Sequence, residues 1–451
     1  MIRRIFSFAV LVTALVAFMA CSDDDSFTTS PTAQLTFSAD SVKMDTIFST
    51  VGSRTYDFWV YNRSRAGVRL KSVRLQQGNQ TGFRVNVDGS YLDNSLGAIV
   101  NDLEIRKGDS IRVFVELTAP ENGQDTPMLI QDRLLFKLES GVEQGVVLQG
   151  YSWDAIVMHN TTITSDTVIE SQRPLLVYGG IKVDSTATLT IRNTTLYFHD
   201  GKGIDVYGRL MCDSVTMRGD RLDHMFDYLP YDRVSGQWGS DGGVVFHPSS
   251  NNNILCRTEI RNAGMAGVMC ISDTCDTTRI QVMMEKCVIH NCKGYGLQSA
   301  NACVSLHDCQ ISNTELDCIY ITGGYVTMNH CTLAQFYPFV GGRGSALRFD
   351  NDQPLHGVAC DSCIITGYDE DVLTGIRSDT TNSFEYQFSA SLLRTPRVET
   401  ADSVHFTMIR WETPKDSIQG KQHFRLVDEQ NLRYDFHLDS LSTAIGLGCY
   451  Y

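Results

Sequence analysis

Apolar residues recur through the middle of the chain in columns that repeat about every 22 residues. Cys287, Cys309, Cys331 and Cys363 form one such column, with steps of 22, 22 and 32 residues, so the last repeat carries a ten-residue insertion. Each repeat alternates apolar and polar positions and buries only one face, so neighbouring repeats must stack. The pattern predicts a solenoid of short parallel strands over residues 151–395. The other columns are Val282, Val304, Val326 and Val358; Met284, Leu306, Met328 and Cys360; and Ile289, Ile311, Leu333 and Ile365.

Asparagines mark one turn of the predicted solenoid. Asn262, Asn291 and Asn313 repeat at the same offset from the columns, and Gln335 takes the next place. Stacked asparagine side chains can hydrogen-bond from one repeat to the next. With these columns and this turn, residues 155–395 resemble the right-handed parallel β-helix of the pectate-lyase-like superfamily. The resemblance implies an all-β coil and carries no catalytic signature.

The column cysteines are predicted to be buried free thiols. Stacked strands lie about 4.8 Å apart, whereas the Cβ atoms of a disulfide lie about 3.8 Å apart, so pairing within a column would strain the coil. The CxxC motif at 360–363 falls on two core columns, and no second CxxC is near enough to complete a zinc site. We therefore predict no metal and no cofactor. Lateral pairing of Cys270 with Cys275, or of Cys287 with Cys292, stays open.

Residues 33–150 have a different pattern, in which short strands such as "TYDFWVYN" and "IRVFVEL" are separated by turns. Such runs, broken every 8–15 residues by Gly, Asn or Asp, favour an antiparallel β-sandwich. The segment is similar to immunoglobulin-like modules, which implies a stalk or an N-terminal cap. The predicted fold is thus all-β, an Ig-like β-sandwich followed by a right-handed parallel β-helix at 151–395. Residues 396–451 are predicted to be a final coil and a C-terminal cap.

The start of the chain is typical of an exported lipoprotein. Two arginines precede an apolar run, so residues 1–20 are predicted to be a signal peptide. "AFMAC" resembles a bacterial lipobox, which implies lipidation of Cys21, and residues 21–32 would form an acidic, polar tether. The whole arrangement resembles a group of envelope lipoproteins with β-helix repeats. We expect an outer-membrane protein anchored through Cys21 and exposed at the surface, although the inner face of that membrane stays open.

The charge of the chain narrows the choice of partners. The formal net charge is −14, and loss of residues 1–20, which contain two arginines and no acidic residue, makes it −16. A strongly acidic protein repels the phosphate backbone of nucleic acid. We therefore expect a glycan or a surface protein as the partner, and no nucleic acid.

Residues 217–243 interrupt the repeat most strongly, because they separate the repeats at Val215 and Thr258 by 43 residues instead of 22. Long excursions from a solenoid are where binding residues are usually placed. The same side chains could instead pin the loop to the coil, and we weigh the two roles equally. The candidate acid–base residues are Asp220, Asp223 and His224. The candidate ligand-binding residues are Arg218, Arg221, Tyr228, Tyr231, Asp232, Arg233 and Trp238.

Three functions are compatible with this pattern. Aromatic platforms that stack on sugar rings favour non-catalytic binding of a glycan or a partner protein by the β-helix flank and the 217–243 loop. Carboxylates in the same groove would suit a polysaccharide lyase or a glycoside hydrolase. A purely architectural role would leave the loop packed flat on the coil. We predict the first function, because exposed acidic residues do not recur in columns and no sharper catalytic motif is present.

Overall fold

The computed structural model describes residues 26–450 except 200, 225, 227–228, 230–232 and 413–418. The predicted signal peptide and Cys21 lie outside the described residues. The chain divides into two compact units, Met1–Trp153 and Asp154–Tyr451. Within the described residues, no helix is long and apolar enough to cross a membrane.

The N-terminal unit is built from two sheets. Its described strands are β1 (Leu35–Phe37), β2 (Ser41–Phe48), β3 (Tyr56–Asn62), β4 (Val68–Leu75), β5 (Phe83–Val87), β6 (Ser90–Tyr91), β7 (Ile99–Ile105), β8 (Ser110–Leu117), β9 (Met128–Leu138) and β10 (Glu143–Trp153), with a 3-10 helix at Asn94–Leu96. One sheet has the order β1-β3-β8-β5-β6 and is antiparallel throughout. The other has the order β2-β10-β9-β4-β7, in which β2 and β10 run parallel. Both sheets contribute to one apolar core, in which Phe58 of β3 meets Phe136 of β9, so the unit is sandwich-like.

The second unit is dominated by one 24-stranded sheet whose described neighbours pair in parallel. Its strands are β11 (Ile156–Ile163), β12 (Thr167–Glu170), β13 (Leu175–Val183), β14 (Thr188–Phe198), β15 (Ile204–Val206), β16 (Arg209–Gly219), β17 (Val244–Phe246), β18 (Asn253–Cys256), β19 (Glu259–Arg261), β20 (Ala266–Ile271), β21 (Val282–Glu285), β22 (Val288–His290), β23 (Tyr295–Ala300), β24 (Cys303–His307), β25 (Gln310–Ser312), β26 (Ile319–Asn329), β27 (Thr332–Gln335), β28 (Leu347–Asp361), β29 (Ile364–Gly367), β30 (Leu373–Ile376), β31 (Phe384–Ser389), β32 (Leu392–Leu393), β33 (Phe406–Thr407) and β34 (Arg410–Trp411).

The sheet closes into a coil with three faces. Face A contains β17, β20, β23 and β30; face B contains β18, β21, β24 and β31; face C contains β19, β22, β25, β27 and β29. The long strands β26 and β28 bend from face A into face B, since each half pairs with a different neighbour. The chain therefore passes A, B and C once per coil. The predicted parallel coil is confirmed.

The apolar columns of the sequence are the inward positions of this coil. In the strand register, Val282 pairs with Val304, Val304 with Val326, and Val326 with Val358. The residues of the Met284 column and those of the Ile289 column pair with one another in the same way, each within its own column. These side chains are almost wholly buried in one continuous core. Such a core stabilises every coil through its neighbours, as expected for a stacked repeat.

The cysteine column lies at the corner between faces B and C. The residue before each of these cysteines adopts the left-handed conformation, with φ between 48° and 54° at Lys286, Asp308, His330 and Ser362. The corner turns each thiol inward, where it donates to a backbone carbonyl; Cys287 Sγ, for example, lies 3.2 Å from the Leu255 oxygen. All 13 cysteines of the described chain are free, including both lateral pairs left open above, and ten of them are buried. The predicted buried free thiols are confirmed for those ten.

The asparagine column lies at the corner between faces C and A. Asn262, Asn291 and Asn313 are buried and have left-handed backbones, which asparagine tolerates better than most residues. Asn291 Nδ2 donates to Asn262 Oδ1 at 2.9 Å, so the side chains link consecutive coils as predicted. Gln335 continues the column and donates to the Leu316 carbonyl at 2.8 Å.

The C-terminal residues, predicted to be a final coil and cap, contain short strands, a helical turn and a hairpin. A 3-10 helix at Ala401–His405 leads into β33 and β34, which extend faces B and C. A helical turn (Gln419–Gln422) and an antiparallel hairpin of β35 (Phe424–Asp428) and β36 (Arg433–Leu438) follow. The hairpin packs on the outer side of face C, where Phe424 and Phe436 cover Ala334 and Ile364. The described hairpin thus lies against the side of the coil.

Candidate functional site

The 217–243 loop leaves the coil after β16 and returns at β17, at the corner between faces C and A. Trp238, predicted to be a ligand platform, has a side chain that is 0% exposed. Its indole stacks on Phe198 with ring centroids 4.4 Å apart and planes 9° apart, and its Nε1 donates to the Arg261 carbonyl at 2.8 Å. Because the ring fills the core, it cannot contact a ligand, and the prediction for Trp238 is corrected here.

The candidate acidic residues of the loop are likewise turned inward. Asp220 lies 2.6 Å from Nδ1 of His199, and Asp223 lies 2.7 Å from Nη2 of Arg221. Burial raises the pKa of Asp220, and the His199 hydrogen bond opposes that rise. Both carboxylates are buried, while His224 is half-buried. Asp220 thus joins the loop to the coil, and the contact of Asp223 with Arg221 lies within the loop.

The loop arginines likewise make contacts within the protein. Arg218 is buried, and its Nη2 donates to the Arg221 carbonyl at 3.0 Å. Arg233 is half-buried; its Nη1 lies 2.8 Å from Nε2 of His290, and its guanidinium lies over the Tyr434 ring at 5.5 Å. Since a guanidinium can only donate, His290 must accept as a neutral imidazole. Burial, then Arg233 and Arg261, lower the pKa of His290 to about 3. The remaining candidates, Tyr228, Tyr231 and Asp232, lie outside the described residues.

An exposed apolar ridge lies beside the end of this loop, along the corner between faces C and A. We call it the corner ridge. Met265, Leu316, Phe339 and Tyr368 are 41–49% exposed, an unusual fraction for neighbouring large apolar side chains. The loop borders it through Ser235, whose Oγ lies 2.9 Å from the hydroxyl of Tyr337. The ridge consists of Met265, Tyr295, Leu316, Tyr320, Phe339 and Tyr368.

Two stacked tyrosines form the centre of the corner ridge. Tyr295 and Tyr320, on successive coils of face A, have ring centroids 5.3 Å apart and planes 30° apart. The Tyr320 hydroxyl donates to Asp350 Oδ2 at 2.8 Å, and the Arg348 guanidinium lies over the Tyr320 ring at 5.0 Å. Both rings are half-buried, and burial raises the pKa of each tyrosine. The rings are thus held in one orientation with part of their surface in solvent.

The ten-residue insertion of the repeat supplies the other half of the ridge. About six of its residues lengthen the segment between β27 and β28, where Phe339 meets Tyr337 edge-on at 5.2 Å, and the rest lie within β28. Arg343 and Lys421 both lie over the Tyr368 ring, at 4.5 Å and 5.1 Å. The Nε atoms of Arg343 and Arg348 are buried and find no hydrogen-bond partner within the described part of the chain. The ridge therefore combines aromatic surface with hydrogen-bond donors.

The carboxylates near the ridge do not form an acid–base pair. Asp317 and Asp350 are both buried, and burial raises the pKa of Asp317. Asp350 pairs in register with Thr322, five residues beyond Asp317, so at about 3.3 Å per residue and one strand spacing the two Cα atoms are about 17 Å apart. Glycosidases place their carboxyl groups about 5–9.5 Å apart. Among the described residues, no three His, Cys, Asp or Glu side chains group as metal ligands.

Comparison with known proteins agrees with this architecture. Residues 144–333 are similar to a family described as "Right handed beta helix region". The second unit is a right-handed parallel β-helix. No curated protein matches the chain.

Solved structures resemble the chain only distantly. The Agl-KA catalytic domain is 12% identical, with 80% of this chain and 79% of that chain covered and a TM-score of 0.29. The catalytic unit of the GH87 alpha-1,3-glucanase from Streptomyces thermodiastaticus strain HF3-3 is 10% identical, with 79% and 89% covered and a TM-score of 0.24. The ASH/PapD-like domain of human CEP192 is 12% identical, with 28% and 91% covered and a TM-score of 0.19. At such TM-scores these likenesses imply nothing about this chain's function.

Sequence reasoning missed the ridge, although two signals pointed to it. Tyr320 and Arg348 each follow a core column residue by one position, so they belong to an outward column of face A. Phe339 and Arg343 lie in the lengthened segment between β27 and β28, in the repeat whose spacing rises from 22 to 32 residues. Extending the column alignment to outward positions would have identified these residues.

Proposed function

We propose that the β-helix unit binds a glycan along the corner ridge without cleaving it, on a protein held at the outer membrane through Cys21. The stacked pair of Tyr295 and Tyr320, with Arg348 over one ring, is the observation that carries the proposal. Aromatic rings offer a flat apolar surface to the C–H faces of sugars, and a few polar groups then fix the hydroxyls.

The length of the ridge suits an extended ligand. Met265 and Tyr368 are four coil steps apart, about 19 Å along the stack. The half-buried guanidinium groups of Arg343 and Arg348 lie over the Tyr368 and Tyr320 rings, and their N–H groups can donate to sugar hydroxyls. A chain of several sugar rings would therefore meet aromatic surface and donors in alternation.

Binding fits the described geometry better than the alternative of a lyase or hydrolase. Asp220 is hydrogen-bonded to His199, Asp223 is paired with Arg221, and the carboxylates of Asp317 and Asp350 beside the ridge are buried. Acid–base catalysis needs groups within hydrogen-bond reach of the reacting atoms. The described part of the ridge offers a surface for recognition and no such pair.

A glycan screen tests the proposal. The chain without residues 1–21 would be applied to immobilised polysaccharides, and both retention and release of new chain ends would be measured. We expect retention without release, and loss of retention in Tyr320→Ala and Tyr295→Ala. Tyr91→Ala, a 75% exposed tyrosine in the other unit, is the matched control and should bind normally. Release of chain ends would establish an enzyme, and a failure to bind any polysaccharide would contradict the proposal.

A further inference from the structure

The coil is incomplete on one face at its C-terminal end. Faces B and C continue to β33 and β34, whereas face A ends at β30. Residues 394–405 connect β32 to β33 where the next strand of face A would lie, and only Ala401–His405 of this segment form a regular element, a 3-10 helix. The interior of the last coil is therefore open on the side of face A.

A glycine lies at this end of face A. The inward column of face A ends at Gly375, which pairs with Phe349, and a Cβ atom on that glycine would lie 2.7 Å from Phe349 Cζ. The position that holds a bulky side chain in most coils is thus a glycine in the last one, and the Phe349 ring of the preceding coil lies against it. The column runs Val183, Val206, Phe246, Cys270, Ser299, Ile321, Phe349 and Gly375.

The result is a cavity of about 510 Å³ with aromatic walls. Phe349 lies 5.6 Å from Phe384 and 5.4 Å from Tyr386, and Tyr386 lies 6.2 Å from Phe406. Small-molecule sites in proteins have volumes of roughly 300–1,000 Å³, mostly apolar walls and a few convergent polar groups. The cavity has the size of such a site, and its lining combines aromatic rings with several polar groups.

The mouth of the cavity carries groups of both charges and both hydrogen-bonding types. Arg377 and Asp402 are exposed at the rim, and Thr395 lies among the lining residues. His405 Nδ1 lies 2.9 Å from the Tyr386 carbonyl oxygen, which can only accept, so Nδ1 is the donor of this hydrogen bond. A cation and an anion on one rim favour neither an anionic nor a cationic ligand.

We propose that this cavity, which we call the end pocket, binds one or two sugar rings of a neutral saccharide. Pyranose rings combine apolar C–H faces, which suit the rings of Phe384 and Tyr386, with hydroxyls that both donate and accept. Arg377 would donate to such hydroxyls, and Asp402 would accept from them. The inference does not rest on the corner ridge, because the two sites share no residue.

Titration calorimetry with neutral disaccharides and trisaccharides tests the end pocket, using cellobiose, laminaribiose, chitobiose and their trimers as probes. We expect at least one probe to bind, and Asp402→Asn and Arg377→Gln each to weaken it about tenfold or more, since each removes a charged hydrogen bond. Both residues are exposed, so neither change threatens the fold.

A blocking variant supplies the control for position. Val398 lines the cavity, so Val398→Trp should abolish binding, whereas Val404→Trp, at a 73% exposed position outside the lining, should leave it unchanged. Tyr320→Ala should also leave it unchanged, which separates this site from the ridge. The inference is overturned if no probe binds, if Val398→Trp binds normally, or if benzoate or tryptophanamide binds in place of the saccharides.

Discussion

Replacing Trp238 separates a core role from a ligand role. The fully buried indole stacks on Phe198 and donates to the Arg261 carbonyl. Replacing a buried Trp by Ala typically costs 3–5 kcal/mol, so Trp238→Ala should destabilise the β-helix unit by about 4 kcal/mol. At roughly 2–4 °C per kcal/mol for a unit of this size, the melting temperature should fall by about 10 °C.

Thermal unfolding followed by far-UV circular dichroism measures this loss. Trp238→Phe keeps most of the stacked surface and removes the indole hydrogen bond, so we expect a smaller loss of about 1 kcal/mol. Trp59→Ala, at a 39% exposed position in the other unit, is the control and should change the melting temperature little. Glycan affinity measured below the transition should be unchanged in Trp238→Phe. Unchanged stability with lost glycan binding in Trp238→Ala would refute the reasoning and restore Trp238 as a platform.

Three further predictions concern buried polar groups. In the native protein a thiol reagent at pH 8 should modify the partly exposed Cys256, Cys275 and Cys449 slowly, since burial raises the pKa of Cys275, for example, to about 11. The ten buried thiols should react only after unfolding. Rapid modification of Cys309 in the native protein would contradict this. His290 is neutral in the folded protein and binds a proton when the protein unfolds, so between about pH 6.5 and pH 3 the free energy of unfolding should fall by up to about 1.4 kcal/mol for each pH unit by which the pH falls. Urea titrations of His290→Gln should therefore show a flatter pH dependence than those of the unchanged protein. An equal slope would argue against a buried neutral imidazole. Asn291→Ala loses the hydrogen bond to Asn262 and places alanine at φ 57°, so urea unfolding should show a free energy of unfolding lower by about 2 kcal/mol. The control is Asn251→Ala, at a half-buried position outside the column, which should change the free energy of unfolding little.

The coil was predictable because its register is repeated many times in the sequence. Each column residue, such as Val304 or Leu306, has an equivalent one coil away. The left-handed residue directly before each column cysteine sets where the chain turns from face B into face C. A slip of one residue would turn every core side chain to the outside, so the pattern admits one register.

The loop was not predictable in the same way, since nothing repeats within it. Trp238 bridges to Ala263 and Gln237 donates to the Asn262 carbonyl, so the chain has already rejoined the coil at residue 237. The indole thus occupies a core position beside the asparagine corner. Its distance of six residues from Val244, equal to that between Asn262 and Val268, was the signal that could have placed it there.

The sequence also contains a signal that face C is covered on its outer side, where the hairpin packs. In β29 (Ile364–Gly367) every residue is buried, whereas a strand with one solvent face alternates. The run "IITG" therefore indicated that both sides of face C are covered at this height. Which segment covers it depends on the path of residues 419–450, and periodicity does not encode that path.

Hydrogen–deuterium exchange with and without a bound glycan tests the central claim most directly. The proposal predicts new protection in β23, the first half of β26 and the insertion at 336–346, with the glycan recovered intact. Protection confined to 217–224 and 233–236, or recovery of shortened chains, would contradict a non-catalytic site on the corner ridge.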